Sequence, residues 1–287
     1  MREILRASCP VCDETQFGTR TVAGITIRRC TSCGVLLSEI APAHGIDYRD
    51  IDENAYAQSI AVVRRRQAEQ IVALVRQQTA TTGEWLDVGC GHGFVLDAAR
   101  TAGFRARGIE PNPTAAAVAR ARIADVEIGT LDADARAADV LSTLDVIEHL
   151  HDLDTFAQLA RSKARALWVI KVPSTEGFFF IIAHALRLKR AVKRLWQSDY
   201  AHPHLIYFNR STLTRYLTKH GFDVVLVRHL DEVPTETVVG RLTLDRRIPR
   251  WMAQLAKPLF FFINVLERLR GKSDALLVVA RPRAAAR

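Results

Sequence analysis

The stretch "LDVGCGHGFVLDAA", residues 86–99, governs the reading of the whole chain. The overlapping "EWLDVGC" is a short apolar run ending in glycine and predicts a buried strand. "FVLDAARTAG" predicts a helix that closes at Gly103. Strand, glycine loop and helix form the first half of a nucleotide-binding βαβ unit. A triphosphate loop needs Gly-Lys-Ser/Thr, and that lysine is missing here. A dinucleotide loop is spaced G-x-G-x-x-G, whereas these glycines fall at Gly89, Gly91 and Gly93. Asp87 would repel a phosphate, and its carboxylate suits a cationic amine or sulfonium. The next strand, "RARGIEPN", ends in Glu110, seventeen residues past Gly93, where a carboxylate can accept both hydroxyls of a ribose. Loop and acid together predict a pocket for a nucleoside with a positive charge and no phosphate.

Further strands are expected at "ADVLSTLDVI", "RALWVIKVPS", "FDVVLVRHL" and "DALLVVARPR". Alternating with helices, they predict an α/β fold with a doubly wound, mostly parallel sheet and ligands at the carboxyl ends of its strands. The 287 residues suffice for one large domain, 81–287, and a small appendage. With 48% hydrophobic and 25% charged residues, the chain should be globular.

The appendage is carried by cysteines. "CPVC" (Cys9, Cys12) and "CTSC" (Cys30, Cys33) are two Cys-x2-Cys pairs seventeen residues apart, with a strand–turn–strand pattern and Gly24 between them. Two such pairs can close a tetrahedral shell of four thiolates, so residues 1–40 are expected to form a zinc ribbon. Having no open position, that zinc would be structural, supplying folding energy to a segment without its own core. Residues 41–80 then hold a linker with Tyr48 and Tyr56 and a helix near 59–77, apolar at Ile60, Val63, Ile71, Leu74 and Val75. Its polar side carries Arg64–Arg66.

"LDVGCGHG", "GIEPN" and "LDVIEHLHD" (144–152) resemble the motifs of the class I S-adenosylmethionine-dependent methyltransferases, over about residues 55–230 with a closing strand near 274–282. The resemblance implies a Rossmann-like sheet of seven strands whose last is antiparallel. It also implies that Asp87, Gly89 and Gly91 line the methionine part of S-adenosyl-L-methionine, that Glu110 binds its ribose, and that Leu131 and Asp132 border its adenine. Cys90 and His92 then only fill the loop. "DVIEHLHD" and "HPHLIYFNRSTLTRYLTKHGF" (202–222) look like the subgroup found in bacterial glycan, lipid and natural-product pathways, which often carries an N-terminal Cys-x2-Cys pair.

Methyl transfer to a hydroxyl needs alignment and a base. His149, in the "EHL" turn, is the first candidate for a base or acceptor-orienting group; His204 and Tyr207 are the next, with His202 nearby. Related sugar C-methyltransferases carry Tyr-x-Glu-His where this chain has Ala201, His202, Pro203 and His204, which favours transfer to oxygen over carbon.

The acceptor is expected to be a small molecule, glycan or glycolipid. The net charge is +9, with basic groups at Arg64–Arg66, at Arg187, Lys189, Arg190, Lys193 and Arg194, and at Arg241, Arg246, Arg247 and Arg250. An insert, 176–201, and an apolar helix, 248–272, read as core and interface or as surfaces that touch an anionic membrane. No secretory signal is visible and no apolar run is long enough to span a bilayer, so the expected location is cytoplasmic, with a peripheral contact at the inner membrane face. Two further functions fit less well. An RNA methyltransferase would use the ribbon and the charge, but the ribbon offers no aromatic beyond Phe17. A non-catalytic scaffold would not need the intact Asp87, Glu110 and glycines. Oligomers are compatible with either apolar segment.

Overall fold

The computed structural model describes residues 7–40, 61–80, 82–134, 136–231, 234–243 and 249–284. Tyr48, Tyr56, Ile60, Arg246 and Arg247 lie outside the described residues.

The N-terminal segment is a small antiparallel sheet: β1 (Phe17–Val22), β2 (Ile25–Cys30) and β3 (Leu36–Ser38). Ala23 and Gly24 both have positive φ at the β1–β2 turn, the twist that a two-residue hairpin requires. Helix α1 (Ala61–Arg76) leads into the main sheet. There β4 (Glu84–Val88), α2 (Phe94–Thr101), β5 (Arg105–Ile109), α3 (Pro113–Arg120), β6 (Val126–Glu127), β7 (Ala138–Leu144), α4 (Leu153–Lys163) and β8 (Ala164–Pro173) alternate as expected. The insert holds α5 (Phe178–Ala185) and α6 (Lys189–Leu195). Then come β9 (Ile206–Tyr207), α7 (Arg210–Lys219), β10 (Phe222–Leu230), α8 (Val238–Thr243), α9 (Arg250–Arg270) and β11 (Ala275–Pro282).

The seven-stranded sheet has the order β10-β11-β8-β7-β4-β5-β6, with only β11 running against its neighbours. From β4 the chain first winds outward through β5 and β6, then returns to the other side at β7. The switch point therefore lies between β4 and β7, where doubly wound sheets bind their ligands.

Both faces of the sheet are covered, which is why its strands read as nearly unbroken apolar runs. Trp168, Ile170, Val172, Leu276 and Val278 pack beneath α4, α7 and the N-terminal segment. Leu167, Val169, Leu277 and Val279 pack beneath α1 and α2. Gly108 is needed in β5 for a close approach: a Cβ there would meet Cys90 Sγ and Leu96 Cδ1 at 2.7 Å. Cys90 is thus a packing residue between the loop and the second strand.

The small sheet is not separate from the large domain. β9 pairs with β3 and makes it four-stranded. Cys9, Val11, Val35 and Leu37 share a core with Leu86, Ile147, Ile206 and Phe208. Lys219 Nζ, on α7, donates to the Pro10 carbonyl and Asp13. The far side of the small sheet is covered by the insert: Phe180, Ala183, Val192 and Trp196 pack on Val22, Ile25, Ile27 and Leu36. His184 accepts the Trp196 indole N–H at 3.1 Å, which satisfies both groups inside this apolar layer. The "FFFIIAHAL" run therefore has a partner within the chain. No helix among the described residues is long and apolar enough to cross a membrane.

Candidate functional site

Asp87 sits in β4 opposite Ser142 of β7, across the switch point. It is buried, and the Ser142 hydroxyl donates to its Oδ1 at 2.5 Å. Ser142 in turn accepts the Trp85 indole N–H at 2.8 Å. Burial lifts the Asp87 carboxyl most, Ser142 pulls it back, and the charge of Glu110 adds to the rise, leaving it at about 7.

The glycine loop folds back on β5. Gly89 and Cys90 N–H both donate to the Ile109 carbonyl, at 2.8 and 3.2 Å. All three glycines have positive φ, the region that side chains disfavour. The Glu110 carboxylate is held from both sides: Gly91 N–H donates to Oε2 at 2.8 Å and Asn112 N–H to Oε1 at 2.9 Å. Each oxygen keeps a lone pair for a further donor. Leu131 is buried in the turn after β6, and exposed Asp132 accepts the Thr130 hydroxyl at 2.5 Å. Thr130 is the main reason the Asp132 carboxyl sits below its usual range.

A second cluster begins directly after β7. A Cβ on Gly89 would come within 2.7 Å of Val146 Cγ2, so the loop and the 147–149 turn pack together. Glu148, His149 and His204 bring one potential ligand or proton-accepting atom each to within 4.8 Å of one another. The His149 and His204 rings are 4.8 Å apart. His149 Nδ1 lies 3.0 Å from the Pro203 carbonyl, which can only accept, so Nδ1 carries the hydrogen and Nε2 keeps its lone pair. The Tyr207 hydroxyl donates to the Leu195 carbonyl at 2.7 Å, so it accepts from His204 Nδ1 at 3.3 Å, and His204 Nε2 is also left with a lone pair. Burial holds both imidazoles neutral, His204 down to about 3. Burial also keeps the Glu148 carboxyl well above its usual range, with the Asp145 charge adding to it.

The structure thus brings together His149, His204 and Tyr207, three candidates that the sequence offered separately. Tyr207 is turned into the small-sheet core and acts on His204 through its hydroxyl. Sequence reasoning missed Glu148 as a cluster member and missed a nearby charge network. Lys171 Nζ bonds both Asp145 oxygens at 2.9 Å, and Arg64 reaches Asp145 at 2.5 Å. The lysine inside apolar "WVIKV" was the available signal, because a buried ammonium needs a carboxylate. Arg64, expected on the polar side of its helix, pairs with that carboxylate.

At the small sheet, Cys9 and Cys33 sulfurs are 3.6 Å apart and Cys12 and Cys30 sulfurs 3.5 Å. All four lie within 4.8 Å of one another. Zinc–thiolate bonds of about 2.3 Å in a tetrahedron separate sulfurs by about 3.8 Å, so this donor set fits that ion. Asp13 and Gly34, each following the second cysteine of a pair, both adopt positive φ. The two turns are therefore matched.

The methyltransferase domain family matches residues 61–227, which include the loop, Glu110 and the Glu148 cluster. The chain belongs to that family. This methyltransferase has no sequence match among curated proteins. Among solved structures it is similar to a chain of a Haloferax volcanii complex between a methyltransferase and a methyltransferase activator, at 14% identity and a TM-score of 0.55, covering 82% of this chain and 97% of that one. A methyltransferase from Archaeoglobus fulgidus aligns at 17% identity and a TM-score of 0.50, with 76% and 94% covered. Magnesium protoporphyrin IX methyltransferase from Synechocystis, with bound SAH, aligns at 12% identity and a TM-score of 0.50, with 82% and 88% covered. These likenesses show the fold.

Replacing Gly89 by alanine combines a left-handed backbone, at about 1–2 kcal/mol, with a clash against Val146, at about 1–3 kcal/mol. Gly91 has open space around it and keeps only the first cost. Urea unfolding should show Gly89→Ala clearly less stable than Gly91→Ala; equal losses would disprove the packing of this loop on Val146.

Proposed function

We propose that this methyltransferase moves the methyl group of S-adenosyl-L-methionine to a hydroxyl of a sugar, glycolipid or other secondary metabolite. The observation that carries the reading is the pairing, at one switch point, of a buried carboxylate with a backbone-held one. Asp87 suits the sulfonium end, and Glu110, fixed by two amides, suits the two ribose hydroxyls. Gly89 and Gly91 let the backbone approach the donor, and Leu131 and Asp132 border the adenine. When bound, the donor supplies a methyl already activated on sulfur. The protein's part is to hold the acceptor oxygen in line and to receive its proton. Nε2 of His149, with His204 beside it, is the group that receives this proton or orients the acceptor, and Tyr207 fixes the tautomer of His204. Asp87 must be ionised to favour a cation, and it is protonated below pH about 7 in the free protein. The preference for the cationic donor over its neutral thioether product should therefore grow with pH, approaching tenfold per pH unit below about 7. Calorimetry with both ligands across that range checks this. A ratio flat with pH, or unchanged in its slope by Asp87→Asn, would refute the role of Asp87.

We also infer that Cys9, Cys12, Cys30 and Cys33 hold one structural zinc, on the fit of their sulfur spacings. Purified protein should contain one zinc per chain, lost together in the Cys9→Ser and Cys33→Ser variants. Protein that folds fully without metal would overturn this.

We infer further that the acceptor is an amphiphile met at an anionic bilayer, on the surface of α9. On α9, Trp251, Leu255, Leu259, Phe262, Leu266 and Leu269 recur at three- and four-residue steps, so they form one stripe, with Leu255 71% and Leu269 79% exposed. Arg250, Lys257, Arg268 and Arg270 lie on the same helix. Phe260 approaches Phe179 of α5, the helix that leads to exposed Arg187, Lys189 and Arg190. An apolar stripe edged by cations suits a helix lying in the headgroup layer. The chain should float with vesicles rich in phosphatidylglycerol at low salt, and Leu255→Glu with Phe262→Glu should abolish flotation. No flotation, or a dimer that the same substitutions dissolve, would reject the membrane in favour of another role for this face.

A further inference from the structure

We propose that Glu148, His149 and His204 bind a single divalent transition-metal cation beside the donor pocket. The three residues offer one carboxylate oxygen and two imidazole nitrogens within 4.8 Å of one another. Glu148 is fully buried, and neither of its oxygens accepts a hydrogen bond from any described residue. A carboxylate so placed is costly unless a cation or a donor meets it. Asp145 cannot substitute as the anion, because Lys171 and Arg64 already hold both of its oxygens. The imidazoles are prepared in the way that ligating histidines are. A backbone carbonyl takes the His149 Nδ1 hydrogen and the Tyr207 hydroxyl takes that of His204, so both Nε2 lone pairs are free to ligate.

The backbone braces the same cluster. Leu205 N–H donates to the Glu148 carbonyl at 2.7 Å, and the Ser38 hydroxyl donates to the His204 carbonyl at 2.7 Å. The two halves of the site, 56 positions apart from Glu148 to His204, are thus tied by a main-chain bond as well as by the His149 ring's bond to the Pro203 carbonyl. Two imidazoles and one carboxylate suit manganese, iron, cobalt or zinc in the divalent state, and they leave positions open for an incoming oxygen. The four thiolates of the small sheet are a softer and closed set, so the two sites differ in preference.

What the ion would do rests on the methyl-transfer reading. A hydroxyl bound to it has a lowered pKa and passes its proton to water. The oxygen then attacks the methyl carbon as the carbon–sulfur bond breaks, its electron pair staying on sulfur. This favours acceptors whose hydroxyl can ligate, such as vicinal diols. His149 would then be a ligand, and the base would be solvent.

The test uses the full chain with its zinc retained and manganese(II) as the probe, followed by electron paramagnetic resonance. One saturable manganese per chain is expected. Glu148→Gln and His204→Gln should each weaken it at least tenfold, while calorimetry shows donor affinity within about twofold of the parent. Should one variant fail to fold, the other carries the measurement. A chain that binds the donor yet takes up no saturable manganese overturns the metal site and leaves His149 as base. Manganese binding indifferent to both substitutions overturns it equally. Manganese binding at these residues in a chain that takes no donor keeps the site and rejects the methyl-transfer reading.

Discussion

A carboxylate buried between two parallel strands sets the terms for everything around it. Asp87 lies where β4 and β7 part, and one hydroxyl, Ser142, is its direct partner on the protein side. Ser142 is fixed in turn by the Trp85 indole, so three side chains from two strands settle one geometry. Such a group is expensive in an apolar sheet, and its raised pKa shows the strain of keeping it charged. The glycine loop exists to close over this point. Its three positive φ values let the backbone turn sharply, fold back on Ile109 and present Gly91 N–H to Glu110. A side chain at Gly89 or Gly108 would occupy the space that Val146, Cys90 and Leu96 use.

The small N-terminal sheet contributes more than an attachment. Its third strand takes β9 as a partner, and β9 follows His204 by two residues. Ser38 supports the backbone of His204 and Leu205, and Leu205 holds the Glu148 turn. Order in the four-cysteine turns therefore reaches the histidine cluster through one short ladder. The insert helices cover the opposite face of that ladder and bury Tyr207 with Trp196. A segment too small for its own core thus shares the core of the large domain, and both depend on the contact.

Much of the fold is legible in the sequence. Buried parallel strands read as apolar runs, as in "RALWVIKVP" and "DALLVVARP", and the matched strands are β8 and β11. The loop was legible because its glycines mark backbone that other residues disfavour, and Glu110 because its distance along the chain is set by one helix and one strand. The cysteine pairs were legible because both members of each pair sit on a single turn. Less visible were Glu148, Arg64 and Lys171, whose partners come from other elements. The pairing of β3 with β9 was hidden for the same reason: strands of three and two residues carry no periodicity to read.

By itself, then, the amino-acid order determined the doubly wound sheet, the closed loop beside Asp87 and Glu110, and the two cysteine turns, because each rests on local spacing. Only the tertiary structure decided that His149 meets His204, that Glu148 joins them without a hydrogen-bond donor among the described residues, and that α5 finds a partner while the stripe on α9 stays exposed. Those outcomes depend on which faces remain after the helices have packed, and on neighbours more than fifty residues away. Burial and pairing at that range are properties of the folded whole, and no window of sequence contains them.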